Sequence, residues 1–578
     1  MTSTIIIGAG PAGLCMAKTL LQCDSTADVL ILDSRQTIGG VWAHEQLYST
    51  LRTNNVFSTV DFSDFPMDAS FGVKRGEHIS GEVMHEYLNA YARHFKLIQR
   101  IRLNAKVSSV RCLDGGDPGG ERWEVVLDTG ELLRCGKVVV ATGILSEPYR
   151  PSIEGEETLD APFIHSSELG RQSDEMMGSR DIKTIAVVGG SKSAYDAVYL
   201  AASTGHKVEW IIRESGRGPT WVFPAYTFLG PFKALRESLL TRRIVSFMSP
   251  WVFPDASGFG WLRRVLHFSR IGKAIPQRFW AKIQQSTLRD CQYRQHDELS
   301  VLEPEQNPFW YGTSSGVFNY PVPISSFLKT SQVRVHRADI THISPHTLHL
   351  SSKSGPTSLP IDAIIACTGY SPLPPIAFPS ALHFPLGIPT TSLTPSQAKF
   401  WSIISASVDL TMSKSFPCLF FGPTSKAHQR ADSPNQHTPW RLYRGIAPPG
   451  LTADGDHSLV FLNMASGTAN TPRIEIQCLW AVAYLKGEME IDETRVWQDT
   501  ALLQRFAELR APYGHGRWYI DFVADQVPYW DLLVGDLGLE TRRKGGWREL
   551  FAAYGGADYR GLVGEWLAKR SKLGQGVA

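Results

Sequence analysis

The chain has 578 residues, 43% hydrophobic and 20% charged, too long for one core and ordinary for a globular enzyme of two or three domains. Its 58 basic and 56 acidic residues leave a formal charge of +2, which gives no reason to expect a nucleic-acid or anionic-membrane partner. Eight cysteines, at 15, 23, 112, 135, 291, 367, 418 and 478, include no CxxC pair; this argues against a metal site, a dithiol redox centre and a disulfide framework, and fits a reducing compartment.

The first predicted element is a strand, TIII, running into Gly8-Ala9-Gly10-Pro11-Ala12-Gly13. LCMAKTLLQ follows with the apolar spacing of a helix, and a second strand, VLIL, leads to Asp33, 20 residues beyond Gly13. That is the interval at which an acidic residue meets a ribose in dinucleotide-binding units. Each glycine has its own reason: Gly8 for the tight turn, Gly10 for backbone approach to a diphosphate, Gly13 for close packing of helix on strand. The helix N-terminus offers unpaired N–H groups to the phosphates. Next comes IGGVW, where Gly40 lets the chain pass close to a bulky ligand and Trp42 offers a flat face.

The pattern returns at Ile185. The strand IAVV runs into Gly189-Gly190-Ser191-Lys192-Ser193-Ala194, a helix follows, and the strand VEWII ends at Arg213. Arg213 stands where Asp33 stands in the first unit. A carboxylate there repels a 2′-phosphate, whereas a guanidinium pairs with one. The first unit is therefore expected to hold an unphosphorylated adenosine cofactor, with IGGVW favouring FAD. The second is expected to hold NADP, with Gly189, Ser191, Lys192 and Ser193 at its phosphates. Two dinucleotide sites in one chain imply electron transfer from NADPH to a flavin.

Seven stretches, in order, resemble the flavin-containing monooxygenase family, which is related to Baeyer–Villiger monooxygenases: GAGPAG, IGGVW, LRTNNVFSTVDFSDFPMD (51–68), ATGILSEPYRP from Ala141, ACTGYSP from Ala366, RLYRGIAPPGL from Arg441, and YRGLVGEW (559–566). The resemblance implies an α/β fold of two Rossmann-like dinucleotide-binding domains, the NADP domain inserted into the FAD domain. Residues 1–150 and 366–578 would form the FAD domain and 155–365 the NADP domain. It places Thr53 and Asn54 at the flavin ring, with Asn54 the catalytic candidate, and Val107 at the adenine. Thr142, Thr368 and Gly369 fall in the two linkers. It implies that NADPH reduces FAD, that O2 then gives a C4a-(hydro)peroxyflavin, and that one oxygen atom passes to a small organic substrate without a metal. The family's FxGxxxHxxxF/Y motif keeps only His165 and Ser166, and Leu169 stands where the Baeyer–Villiger form has Trp. Heteroatom oxygenation, tailoring of an apolar or aromatic natural product, Baeyer–Villiger oxygenation and a non-catalytic nucleotide-binding flavoprotein stay open. His165 has two readings, a residue that orients a loop near NADP and a hydrogen-bonded structural histidine.

Residues 219–330 exceed what a Rossmann half needs and carry Trp221, Phe223, Phe228, Trp251, Phe253, Trp261, Trp280, Phe309 and Trp310. They read either as a lid lining an apolar substrate pocket or as the core of the insertion itself. Gly422 to Trp440 reads as a polar surface loop. No signal peptide precedes the first strand, and the longest uncharged apolar run, PTWVFPAYTFLGPF, is too short and too proline-broken to span a bilayer, so a soluble, cytoplasmic protein is expected.

Overall fold

Thr4–Ile7 is buried at every residue and lies at the centre of a five-stranded parallel sheet. A strand covered on both faces cannot alternate, which is why it reads TIII. It pairs with Val29–Leu32 on one side and Lys137–Val140 on the other. Ile101–Arg102 forms one edge and Leu459–Phe461 the other. The computed structural model describes residues 3–113, 120–229, 232–423 and 437–575.

A second parallel sheet has the order Phe163–His165, Ala363–Ala366, Thr184–Val188, Lys207–Ile212, Val333–Arg337. Both sheets share one plan. A strand, a glycine turn and a helix lead to a second and a third strand. A three-stranded antiparallel meander follows, Val107–Cys112, Trp123–Leu127 and Leu132–Cys135 in the first unit, and Asp339–Ser344, Thr347–Ser352 and Gly355–Pro360 in the second. A fourth strand then returns beside the first. The duplication lies in the topology. The second unit sits inside the first, because the chain leaves the first sheet after Val140 and rejoins it at Leu459.

The outgoing and returning passes lie side by side. Tyr149 N–H donates to Gly369 O at 2.9 Å, Ser371 N–H donates to Glu147 O at 2.8 Å, and Pro148 bridges Tyr370. The helix Asn470–Leu485 follows the returning strand and is buried from Thr471 to Leu485, against the helix Pro11–Cys23. Its sequence, NTPRIEIQCLWAVAYL, is accordingly apolar on nearly every side.

The aromatic insertion fills space between the two units. Trp221 is fully buried in the second unit's core, its indole N–H donating to Gln306 O at 2.9 Å. Trp251 is fully buried in the first unit's core, edge-on to Phe506 and Phe522. Trp280 is buried, donating to Met248 O at 2.9 Å. These three are buried, Trp221 and Trp251 in the cores of the two units and not in a core of the insertion's own, whereas Trp261 is 64% exposed. The side chain of Phe228 and residues 424–436 of the expected surface loop lie outside what is described. Trp440, at the end of that loop, is not a surface residue: it is buried, and its indole N–H donates to Pro372 O at 2.6 Å.

Candidate active site

At the first glycine turn the backbone is packed against itself. Gly8 has φ +114°, and a Cβ on it would stand 2.6 Å from Ala141 O. A Cβ on Gly13 would stand 1.9 Å from Gly8 O. Both contacts are with backbone, so nothing can give way. Gly10 differs: its Cβ would meet nothing nearer than Gly40 Cα, at 3.6 Å. The IGGVW stretch therefore lies directly over the turn, tied by Gly39 N–H to Ala9 O at 3.0 Å. The helix Pro11–Cys23 starts with Gly10 as N-cap and no side-chain cap, which leaves its first N–H groups for an anion. Asp33 is buried, and its carboxylate accepts from Ala9 N–H at 2.6 Å and Arg35 N–H at 2.9 Å. It anchors the turn and retains lone pairs for a ribose. Ala105 N–H donates to Asp33 O at 2.8 Å, which brings the approach to Val107 alongside. This cradle, shut to side chains and open to a diphosphate, fits the outline of FAD. Trp42 is half-buried on the core, and its carbonyl accepts from His85 Nδ1 at 3.0 Å.

Arg52–Val56 carries Thr53 and Asn54, whose side chains leave opposite faces of the strand. Thr53 is buried: its hydroxyl donates to Asn55 O at 2.6 Å and accepts from Ile79 N–H at 3.0 Å. That hydroxyl is satisfied within the protein, and in this strand only Asn54 is exposed. Three residues that the sequence reading missed hold this strand. Asn319, from the insertion, donates to Arg52 O at 3.0 Å and Thr53 O at 3.2 Å. His78 Nδ1 lies 3.0 Å from Thr53 O. Asn55 donates to Thr468 O at 2.7 Å, just before the buried helix. Nearby, Thr59 donates to Glu237 at 3.0 Å, and burial pushes the Glu237 carboxyl up to about 7. No motif marks Asn319 or Glu237, because both come from an irregular insertion distant in sequence.

The second turn repeats the cradle. Gly189 has φ +147°, and a Cβ on it would stand 2.3 Å from Cys367 O. The helix Lys192–Ser203 has Ser191 as N-cap, yet its hydroxyl makes no cap hydrogen bond, so the first N–H groups stay available. Lys192 turns inward. Its ammonium pairs with Asp196 and donates to Asn319 Oδ1 and Tyr320 Oη, both at 3.1 Å, and burial lowers its pKa. The expected phosphate contact from this side chain therefore gives way to a tie. A chain of hydrogen bonds, Lys192 to Asn319 to Thr53 O, joins the second glycine turn to the Asn54 strand. Arg213 is exposed at the end of Lys207–Ile212. Arg217 lies beside it: its guanidinium donates to Tyr513 O at 3.1 Å, and burial, then Arg213, lowers its pKa.

His165 belongs to the linker crossing. Ser167 N–H donates to Nδ1 at 3.1 Å, so the proton sits on Nε2, which donates to Gly369 O at 3.0 Å. Burial lowers its pKa and keeps the ring neutral. The ring holds the second linker, where Thr368 also donates to Tyr149 O and Gly369 takes φ +88°. Thr142, Gly143, Ser371 and Met464 line a recess between the linkers and the returning strand. Leu169 is buried in the second core. Among the described residues no cluster could hold a metal ion.

Two glycine cradles with uncapped helices, one ending in a carboxylate and the other in a guanidinium, define a two-dinucleotide flavoprotein. Residues 5–227 match the pyridine nucleotide-disulphide oxidoreductase family. All eight cysteines are free. A FAD-dependent monooxygenase of Aspergillus sclerotiorum is 32% identical over 99% of both chains. Among solved structures, an S-allyl-L-cysteine S-oxygenase of Allium sativum superposes with a TM-score of 0.52 at 18% identity, covering 99% of this chain and 93% of that one. A caprolactone-bound cyclohexanone monooxygenase gives a TM-score of 0.55 at 14% identity, over 93% and 98%. The chain belongs to the FAD-dependent monooxygenases. It is an enzyme that uses FAD, NADPH and O2 to oxygenate a small molecule, and the non-catalytic alternative is set aside.

Proposed function

We propose that this enzyme tailors an apolar or aromatic natural product, with the Gly8–Gly13 turn and Asp33 holding FAD and the Gly189–Ser193 turn holding NADPH. The observation that carries the assignment is the contrast at equivalent strand ends, buried Asp33 against exposed Arg213. Gly8, Gly10, Gly13 and Gly40 leave room for the FAD diphosphate, Val107 flanks the adenosine end, and Trp42 backs the flavin side. Arg213, with Arg217 adjacent, takes the 2′-phosphate. The bound flavin supplies the redox and oxygen chemistry. The protein binds, orients and excludes water. The exposed Asn54 amide presents a donor to the reacting face. Thr53 and Lys192 position that strand from within. Thr142, Thr368 and Gly369 line the crossing between the domains. Heteroatom or carbon oxygenation fits this site better than Baeyer–Villiger chemistry, since Leu169 is a core residue where that class has an aromatic. The free cysteines fit a soluble protein of the reducing cytoplasm, acting on a substrate supplied by secondary metabolism.

The test is coenzyme preference. Arg213→Ala should lower kcat/KM for NADPH about tenfold or more and leave that for NADH nearly unchanged, since a lost charge-assisted phosphate contact is worth roughly 1.5–3 kcal/mol. Equal losses with both coenzymes would reject the assignment.

A further inference from the structure

The helices Gly260–Phe268 and Arg270–Asp290 form a hairpin, packed on each other and joined at Ser269, whose hydroxyl accepts from Gly272 N–H at 2.9 Å. Its inner face is packed in the ordinary way: Arg263, Leu266 and His267 are buried. Its outer face is not. Trp261, Val265 and Phe268 fall at successive positions of one helical stripe and are 64%, 50% and 62% exposed. Ile271 and Ile275 continue it along the second helix at 85% and 50%. Phe421, 85% exposed, ends the helical turn Pro417–Phe421, whose neighbour Phe416 rests on His267. Scattered apolar residues are normal on a surface, but a continuous stripe of large side chains led by tryptophan marks an interaction site.

Charge decides what covers it. Residues 260–290 contain seven basic side chains and one acid, Asp290, in a chain that is otherwise balanced. Arg278 and Lys282 extend the Ile271–Ile275 stripe itself, at i+7 and i+11, and are exposed. Lys273 is half-exposed beside them. None of these three is ion-paired to a described residue; Arg264 is, with Asp255 at 2.8 Å. Apolar side chains at one end of a stripe and free cations at the other match a layer whose interior is hydrocarbon and whose surface is anionic. A second copy of this chain would bring the same cations to the same face and repel it.

We propose that this hairpin seats the enzyme on an anionic lipid surface, with Trp261, Phe268 and Ile271 entering the headgroup boundary and Lys273, Arg278 and Lys282 meeting the phosphates. The protein lies on the membrane and does not cross it, since no helix among the described residues is long and apolar enough to span one. The surface is remote from both glycine turns in sequence, and it goes beyond the oxygenation assigned above.

The experiment uses the full chain loaded with FAD and vesicles of phosphatidylcholine with or without phosphatidylserine. Cosedimentation should occur with the phosphatidylserine vesicles and weaken as salt rises, while phosphatidylcholine alone binds poorly. Trp261→Gln combined with Ile271→Gln should lower the bound fraction about tenfold and leave NADPH oxidation without vesicles unchanged. Lys273→Gln, Arg278→Gln and Lys282→Gln together should remove the preference for phosphatidylserine. Wild-type protein that stays in the supernatant, or variants that sediment as it does, would overturn the proposal. Light scattering that showed a dimer dissociated by the Trp261 and Ile271 changes, without lipid binding, would assign the face to self-association instead.

Discussion

At the residue scale, the three glycines of the first turn separate folding from binding. Gly13→Ala places a Cβ 1.9 Å from backbone and should prevent the first unit from folding, read as aggregation on expression. Gly10→Ala meets nothing closer than 3.6 Å in the protein, so the chain should fold and melt normally. Its methyl group instead enters the space for the diphosphate, so the purified protein should carry several-fold less flavin, measured by the ratio of visible to 280 nm absorbance. A Gly10→Ala protein that retained full flavin would disprove the cradle. Asn54→Ala removes an exposed amide from a strand held by other residues, so flavin content should stay intact. Product formation should fall by roughly 10²-fold, the scale of losing one oriented donor, with NADPH consumption diverted to hydrogen peroxide. Unchanged coupling would exclude Asn54 from the reacting face.

At the element scale, the Asn54 strand is positioned by the insertion as well as by its paired strand His78–Ser80. Asn319 donates to it twice and accepts from Lys192. Asn319→Ala cuts this link to Lys192 and leaves the first glycine turn untouched, so stopped-flow flavin reduction by NADPH should slow while flavin content stays constant. His267 reports on a second element contact. It is buried on the helix Gly260–Phe268 with Nε2 2.9 Å from Phe247 O, and burial, reinforced by Arg263 and Arg510, pushes its pKa down to about 4. The unfolded chain has a His pKa of about 6.5 and binds the proton first. The stability from neutral His267 is therefore complete above about pH 6.5 and is lost as pH falls toward 4, by roughly 3 kcal/mol at most. His515, also lowered to about 4 by burial, acts in the same direction. Melting temperatures across that interval should fall less steeply in His267→Gln than in the wild type.

At the scale of the whole molecule, the insertion is held to the C-terminal helices by buried charge. Arg243, fully buried, donates to Asp531 and, at 2.6 Å, to Glu549. Replacing it strands two carboxylates in the interior, and breaking a buried pair in this way costs about 3–5 kcal/mol. Arg243→Met should therefore melt in two steps, the insertion loosening before the sheets, as followed by differential scanning calorimetry. A single transition at the wild-type temperature would show that the network contributes nothing to docking. Burial also raises Asp531 to about 6, above its value in the unfolded chain, so its protonation as pH falls through that value favours the docked state.

Local chemistry wrote much of this protein legibly. Both glycine turns, their strands and helices, and the contrast of Asp33 with Arg213 are dictated by short-range sterics and charge, so they can be read residue by residue. The order of the units follows from the two linkers. The tertiary structure alone decided which face each side chain occupies. Thr53 and Lys192 turn inward because partners from distant segments, Ile79, Asn319 and Tyr320, satisfy them there. Trp221, Trp251 and Trp280 became core and Trp261 surface for the same reason: burial depends on which elements pack together, and an aromatic-rich irregular segment has no periodicity that announces its partners. The near-zero net charge likewise concealed a strongly cationic hairpin, because a sum over the chain carries no information about where folding gathers its terms.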